Sequence, residues 1–147
     1  MHKETGCIGT TGPEMRRFFF TVDDAVKLVL TAMEHIEETA GKVLSRKMKA
    51  AQIKEILDIW IEDKGGRWEQ IEGRPGERLD EYLIGDLELP HTREIEYHGI
   101  THYLISFNEK VANPVAFGLS SANTDRLEDQ EIRHLINSVP VEEQSHE

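Results

Sequence analysis

The chain has 147 residues, of which 38% are hydrophobic and 31% charged, as is typical of one globular domain with a modest core. Its 17 basic and 28 acidic residues give a formal net charge of −11, which disfavours nucleic acid as a partner because like charges repel. No apolar run approaches the ~20 residues that cross a bilayer, and the single Cys7 excludes an intrachain disulfide, so we expect a cytoplasmic protein with no membrane partner.

The first part of the chain predicts an irregular entry and two short strands. Residues 1–15 hold four turn-forming residues and little periodicity, so we interpret them as irregular structure. Residues 18–20 are an aromatic run typical of a short buried strand, and the mixed stretch at residues 42–49 predicts another strand.

Apolar residues at helical spacing predict two amphipathic helices. The first covers residues 22–38, with Thr21 and Asp24 as its N-terminal cap and Gly41 at its end. The second stops at Gly65-Gly66, and its Trp60 is expected to pack in the core rather than stack on a base. The positions assigned to the core are Val22, Val26, Val29, Met33 and Ile36 in the first helix and Ile53, Ile56, Leu57, Trp60 and Ile61 in the second.

The second half of the chain predicts further short elements. In order, these are a strand at residues 67–71, a turn at 73–76, a short helix at 77–84, two strands at 94–98 and 102–107 joined through Gly99, and a last helix containing Ile132, Leu135 and Ile136. Thr124 or Asp125 is the predicted cap of that helix. The acidic residues 140–147 are expected to be a disordered tail. The pattern predicts an α/β fold over residues 16–139, with a few short strands and three to four helices and without a Rossmann sheet.

The glycines near the N-terminus have a spacing used in dinucleotide sites. Gly6, Gly9 and Gly12 follow the G-x-x-G-x-x-G pattern. That site needs a hydrophobic strand before the loop and a helix after it, so that pyrophosphate meets free N–H groups. The flanking residues predict neither element, so a flexible loop is the favoured interpretation.

A histidine pair suggests a metal site. His98 and His102 are four residues apart, with Glu94 and Glu96 nearby. On a helix this spacing would place both imidazoles on one face, but the residues between them favour a strand or turn. We therefore expect a solvated strand pair and no metal.

The most specific signal is a series of segments that resemble one family. Residues 11–26, T-G-P-E-M-R-R-F-F-F-T-V-D-D-A-V, resemble the T-D-P-x-M-T-R-F-F-x-x-x-x-x-A-V segment of the nucleotide-sugar 4,6-dehydratase/4-epimerase group. These extended short-chain dehydrogenases make sugars of bacterial capsule, O-antigen and flagellin. Further segments resemble the same family in the correct order: Lys47-Met48 its K-M-P strand end without the proline, residues 73–81 its R-x-G-E-K-x-H-E element, and residues 120–123 its S-x-x-N loop, followed by its closing helix.

The resemblance implies a binding role for three residues. Arg17 and Arg74 would be the cations for the diphosphate of a UDP-sugar, and Glu77 would accept hydrogen bonds from the ribose hydroxyls. The local sequence agrees, since Arg17 lies at the junction of an aromatic strand and a helix start and Arg74 lies in a Pro/Gly turn. The alternative is that both are surface arginines paired with the abundant acids.

Two departures from the family pattern lie beside the implied ligand. Arg16 stands where the family has a small hydroxyl residue, and Asp80 stands where it has a histidine. The identity of the sugar is therefore not carried over from the resemblance.

The chain lacks the residues that carry out the family's chemistry. Those enzymes oxidise the sugar at C4 with a tyrosine, a lysine four residues later and NAD(P) on a Rossmann sheet. Here Tyr82, Tyr97 and Tyr103 are followed four residues later by Asp86, Thr101 and Phe107.

The resemblance thus implies the UDP-sugar-binding C-terminal portion of a UDP-N-acetylglucosamine 4,6-dehydratase or 4-epimerase. It would be inactive alone, with NAD(P) expected on a missing N-terminal domain. The alternative is a non-enzymatic split or relic module that pairs with a separate Rossmann chain or mediates contacts in a homo-oligomer.

Overall fold

The computed structural model describes residues 6–139. Within that range it has the predicted α/β fold, with four α-helices and short strands in sheets of at most three strands. The helices are α1 Val22–Glu34, α2 Ile36–Thr39, α3 Ile53–Lys64 and α4 Asp129–Ser138. The strands are β1 Cys7–Thr10, β2 Arg16–Phe18, β3 Val43–Arg46, β4 Ala50–Gln52, β5 Arg67–Gln70, β6 Tyr82–Ile84, β7 Thr92–Tyr97, β8 Ile100–Ile105 and β9 Leu119–Ser120.

The largest of these sheets is antiparallel, in the order β3-β8-β7. The predicted hairpin through Gly99 is confirmed, but its strands begin two residues earlier than predicted. The connection is only His98-Gly99, and both residues have positive φ, 54° and 73°. Two such residues form the turn whose twist matches that of the flanking strands.

The predicted first helix is interrupted at its C-terminal end. Its cap is confirmed, since the Asp24 N–H donates to Thr21 Oγ1 at 3.1 Å and the Thr21 N–H donates to Asp24 Oδ2 at 3.2 Å. His35, with φ −111° and ψ 35°, leaves the helical region and separates α1 from α2. The predicted end at Gly41 agrees with its φ of 72°.

The central core lies between α3, α4 and β4. Its buried residues are Ala51, Ile59, Ile132 and Ile136, with Phe19, Ile56, Trp60 and Leu127 packed against them. This confirms the core assignment of Trp60. The predicted end of α3 is also confirmed, because its C-cap Gly65 has a φ of 80°.

Several local predictions are wrong. The entry segment is not irregular at Cys7–Thr10, which form β1 and pair in parallel with β5, although residues 11–15 form turns as predicted. The aromatic strand is Arg16–Phe18 rather than residues 18–20, and Phe20 is 47% exposed. Residues 77–84 form no helix, because their backbone bonds to other segments and Tyr82–Ile84 pairs with β9. The cap of α4 is Glu128, whose N–H donates to Glu131. The tail at 140–147 lies outside the described residues.

The core assignment of the first helix is also wrong. Val22, Val26, Val29, Met33 and Ile36 are 51 to 77% exposed. We call these five residues, together with the half-exposed Leu30, the α1 apolar face. The helix instead turns its Thr31 side inward, where Thr31 is 6% exposed.

Candidate functional site

Three of the segments that carry the family resemblance meet at one place, although they are far apart in the chain. The Arg16 N–H donates to the Leu79 carbonyl at 2.8 Å, and the Ser121 N–H donates to the Glu81 carbonyl at 2.8 Å. The Glu81 N–H donates in turn to Ser121 Oγ at 3.0 Å. We call residues 11–17, 73–81 and 120–123 the motif junction.

An ion pair lies at the centre of the motif junction. Arg16 Nε and Nη2 donate to Asp80 Oδ1 and Oδ2 at 2.8 and 3.1 Å, and Ser121 Oγ lies 2.8 Å from Asp80 Oδ1. Burial acts to raise the pKa of Asp80, but the hydrogen bonds from Arg16 and Ser121 outweigh it and hold that pKa below its ordinary value. The two departures from the family pattern are therefore partners of each other.

Arg17 binds within the protein. Its Nη1 donates to the carbonyls of Arg16 and Leu79 at 2.7 and 3.3 Å, and its Nη2 donates to the Arg78 carbonyl and Met15 Sδ at 2.9 and 3.2 Å. Its Nε lies 3.2 Å from Glu81 Oε1 in an ion pair. A guanidinium has five N–H donors and no acceptor. To bind a phosphate, Arg17 must exchange some of these partners.

Arg74 and Glu77 lie in the turn at the start of the second segment of the junction, residues 73–81. The Glu77 N–H donates to the Arg74 carbonyl at 3.3 Å. Glu77 Oε1 accepts from Thr11 Oγ1 at 2.8 Å, so Glu77 contacts the first segment of the junction. The Arg74 side chain is exposed and has no hydrogen bond or ion pair with any residue in 6–139. Of the two arginines that the resemblance assigns to the diphosphate, Arg17 is thus bonded internally and Arg74 is available.

The sequence analysis missed Arg78, a further cation of the junction. It is exposed, and its guanidinium has no partner within the part of the chain that the structure describes. Arg78 stands at the lysine position of the R-x-G-E-K-x-H-E element, so the quoted motif already contained the signal.

A cavity of about 450 Å³ lies beside the junction. This volume lies within the range that small-molecule sites occupy. Thr124 Oγ1 donates to the Met48 carbonyl at 2.7 Å, and Lys47 Nζ lies 3.3 Å from Asp125 Oδ2, so the Lys47-Met48 segment meets the residues that directly follow the S-x-x-N loop at the cavity wall. Burial, with a smaller effect from Glu94, raises the pKa of Tyr103 in the same wall. The other lining residues include Phe18, Leu83, Pro114, Phe117 and Asn123.

The glycine-rich segment does not have the geometry of a dinucleotide site. Gly9 lies inside β1, and the element that follows Gly12 is β2 rather than a helix. The favoured interpretation as a flexible loop is also wrong for Cys7–Thr10, because those residues pair with β5.

The two histidines of the suggested metal pair have different surroundings. His102 is 2% exposed, and its Nδ1 donates to the Ile100 carbonyl at 2.8 Å. Burial is the main cause that lowers the pKa of His102. His98 lies on the exposed hairpin turn, and its Nε2 is 2.8 Å from Glu34 Oε2.

Among residues 6–139, no helix combines the length and the apolar composition that crossing a bilayer requires.

Comparison with known proteins gives consistent results. A family model described as "polysaccharide biosynthesis protein" matches residues 1–102. A Methanocaldococcus jannaschii protein, described as an uncharacterized membrane protein, is 34% identical over 103 residues, which are 64% of this chain and 30% of that protein. The X-ray structure of Pen from Bacillus thuringiensis matches with a TM-score of 0.76 and 24% identity, over 93% of this chain and 42% of that one. The likeness to Pen shows the fold. The chain spans less than half the length of the Methanocaldococcus protein and of Pen.

Proposed function

Because this chain belongs to the polysaccharide biosynthesis protein family, we propose that it is the UDP-sugar-binding C-terminal portion of a nucleotide-sugar dehydratase or epimerase. The parent enzyme would be an extended short-chain dehydrogenase acting on UDP-N-acetylglucosamine, by 4,6-dehydration or 4-epimerisation. The products of such a reaction are precursors of capsule or O-antigen sugars.

The observation that carries this proposal is the convergence of the motif segments at the junction. The guanidinium groups of Arg74 and Arg78, in the same segment as Glu77, have no partners in residues 6–139. The junction also contributes Asn123 to the wall of the 450 Å³ cavity. Exposed guanidinium groups are suited to a diphosphate because they donate two parallel hydrogen bonds to phosphate oxygens. We assign the diphosphate to Arg74 and Arg17, with Arg78 as a further cation, and the ribose hydroxyls to Glu77.

The internal bonding of Arg17 defines its part in this proposal. Its guanidinium fixes the carbonyls of Arg78 and Leu79 and so positions the turn that carries Arg74. Binding a phosphate at Arg17 requires one of these bonds to open, whereas Arg74 needs no exchange. We therefore assign to Arg74 the larger share of the diphosphate affinity.

The proposal divides the work of catalysis between two parts of the enzyme. This chain has no tyrosine followed four residues later by lysine. It would supply binding energy and orientation of the sugar. NAD(P), held by a Rossmann domain outside this chain, would supply the hydride chemistry.

Isothermal titration calorimetry of the 147-residue chain with UDP-N-acetylglucosamine tests the proposal. We expect saturable binding, and we expect Arg74→Ala to weaken it about tenfold or more, since a hydrogen bond to a charged group contributes about 1.5–3 kcal/mol. Arg133→Ala is the matched control, because Arg133 pairs with Glu62 and Asp63 on α3, away from the junction. Absence of heat with the wild type, or equal affinities for Arg74→Ala and the wild type, would contradict the proposal.

A second candidate is a non-enzymatic module that binds a separate Rossmann chain. The observation that favours a partner is the α1 apolar face, which no described residue covers. The nucleotide sequence upstream discriminates the two candidates. An in-frame G-x-x-G-x-x-G and Y-x-x-x-K would make the chain part of one enzyme, and their absence would favour the separate module.

A further inference from the structure

We propose that Glu34, His35 and His98 form a binding site for one divalent transition-metal ion such as Zn²⁺. One nitrogen from each imidazole and one carboxylate oxygen lie within 4.8 Å of one another. Among residues 6–139 this is the one group of three such donors that comes so close. The site lies at the C-terminal end of α1 and is independent of the proposed sugar-nucleotide function.

The fold brings these donors together from two elements. Glu34 is the last residue of α1, and His35 is its C-cap. His98 comes from the β7–β8 turn, where its φ of 54° is fixed by paired strands on both sides. The His35 ring is held by stacking on Tyr97, with 4.0 Å between centroids and 19° between planes. Two of the donors therefore have positions set by secondary structure and ring packing.

The distances allow an ion to enter with small movements. Glu34 Oε2 and His98 Nε2 are 2.8 Å apart. In a tetrahedral zinc site, bonds of 2.0–2.2 Å separate neighbouring ligand atoms by about 3.4 Å. The Glu34 and His98 side chains are 56% and 60% exposed, so both can move apart to this spacing and toward the His35 nitrogen, which lies within 4.8 Å of them, without disturbing the core.

The chemistry of the donors selects the class of ion. Two imidazoles and one carboxylate, with a position left for water, are a ligand set used for zinc. Magnesium and calcium prefer oxygen ligands, and an all-thiolate site would favour softer metals. The formal charge of −11 also favours the approach of a cation. Once bound, the ion would join the end of α1 to the β7–β8 hairpin.

Zinc titration of the full chain, made free of metal with a chelator, tests this site. We expect one equivalent of Zn²⁺ to bind by calorimetry and to raise the melting temperature, with reversal by chelator. Bound Co²⁺ should give the visible absorption of a low-coordinate nitrogen and oxygen site. The decisive variant is His98→Asn, because asparagine also tolerates the left-handed turn conformation and the hairpin should still form.

Removing either type of donor should weaken the site. We expect His98→Asn and Glu34→Gln each to lower zinc affinity by at least about tenfold, an effect already seen when residues that merely support metal ligands are changed. His134→Ala, an exposed histidine on α4, is the control and should leave the affinity unchanged. No zinc binding by the folded wild type, or equal affinities in all variants, would show that Glu34 and His98 form only an ion pair.

Discussion

The motif junction and the α1 apolar face differ in whether their side chains find partners among residues 6–139. In the junction, Arg16, Asp80 and Ser121 bond to one another, and the Arg17 guanidinium donates hydrogen bonds to neighbouring acceptors. On α1, apolar side chains between 51 and 77% exposed face away from the core. A polar network can be completed within one domain, whereas an apolar face needs a second surface to be removed from water. The polar groups of the junction are thus paired within this chain, whereas the apolar side chains of the α1 face remain exposed to water.

The largest expected effect comes from breaking the junction. Asp80→Ala should lower the free energy of unfolding by about 2–3 kcal/mol, because it leaves the half-buried Arg16 guanidinium without its carboxylate and the Ser121 hydroxyl with only the longer bond to the Arg16 carbonyl. Urea unfolding followed by circular dichroism measures this value. Asp125→Ala is the control: its side chain is 68% exposed, and its one ion pair within residues 6–139 is with Lys47, so we expect a loss of about 0–1 kcal/mol. Similar losses in the two variants would show that the junction is no tighter than an ordinary surface pair.

The double variant Arg16→Ala/Asp80→Ala sharpens this result. Removing both partners should cost less than the sum of the single variants, since neither charge is then left alone. Additive losses would instead mean that Arg16 and Asp80 act independently, and that the two departures from the family pattern are unrelated.

A smaller effect is expected from pH, through His102. Burial lowers the pKa of His102 in the folded state, so the imidazole stays neutral there while the unfolded chain takes up a proton near pH 6.5. Stability should therefore be complete above about pH 6.5 and fall as the pH decreases toward the folded pKa, by up to about 1.4 kcal/mol per pH unit. Urea unfolding between pH 7.5 and 5, with chelator present, measures the slope.

His102→Gln provides the comparison for the pH series. Glutamine retains a donor for the Ile100 carbonyl but does not titrate, so this variant should lose stability less steeply below pH 6.5. Parallel pH profiles for the two proteins would assign the acid sensitivity to another group.

The sequence predicted local features correctly but missed pairings between segments that are far apart in the chain. The Thr21 cap and the Gly65 stop are fixed by neighbouring residues and were predicted correctly. The β1 strand depends on β5, about sixty residues later, and its sequence alone gave no periodicity. Residues 77–84 were assigned to a helix because local patterns cannot show that the Leu79 carbonyl accepts from Arg16.

At the candidate site, too, the sequence identified the segments but not the contacts between them. Motif spacing identified the segments that meet at the junction, because a family pattern records residues that act together. It could not show that Arg17 would be bonded internally while Arg74 remains available, since that depends on the carbonyls of Arg78 and Leu79. Helical periodicity likewise identified the apolar stripe of α1, but no periodicity says which surface covers it.

The smallest effect on stability is expected on the α1 apolar face. Val29→Lys/Met33→Lys should change the free energy of unfolding by no more than about 0.5 kcal/mol per site, because both side chains are already more than half exposed. The same double variant should reduce self-association, since it places two charges in an apolar surface. Sedimentation velocity over a range of protein concentrations measures that change.

Leu28→Lys is the matched control on the same helix. Leu28 is only partly exposed and lines the cavity between α1 and the β7–β8 hairpin, so a lysine there should destabilise the fold more than either exposed change. If Val29→Lys/Met33→Lys unfolds the chain as strongly as Leu28→Lys, then the α1 face is covered within this chain. If the wild type stays monomeric at every concentration and the double variant sediments identically, the exposed face drives no self-association and the prediction is wrong.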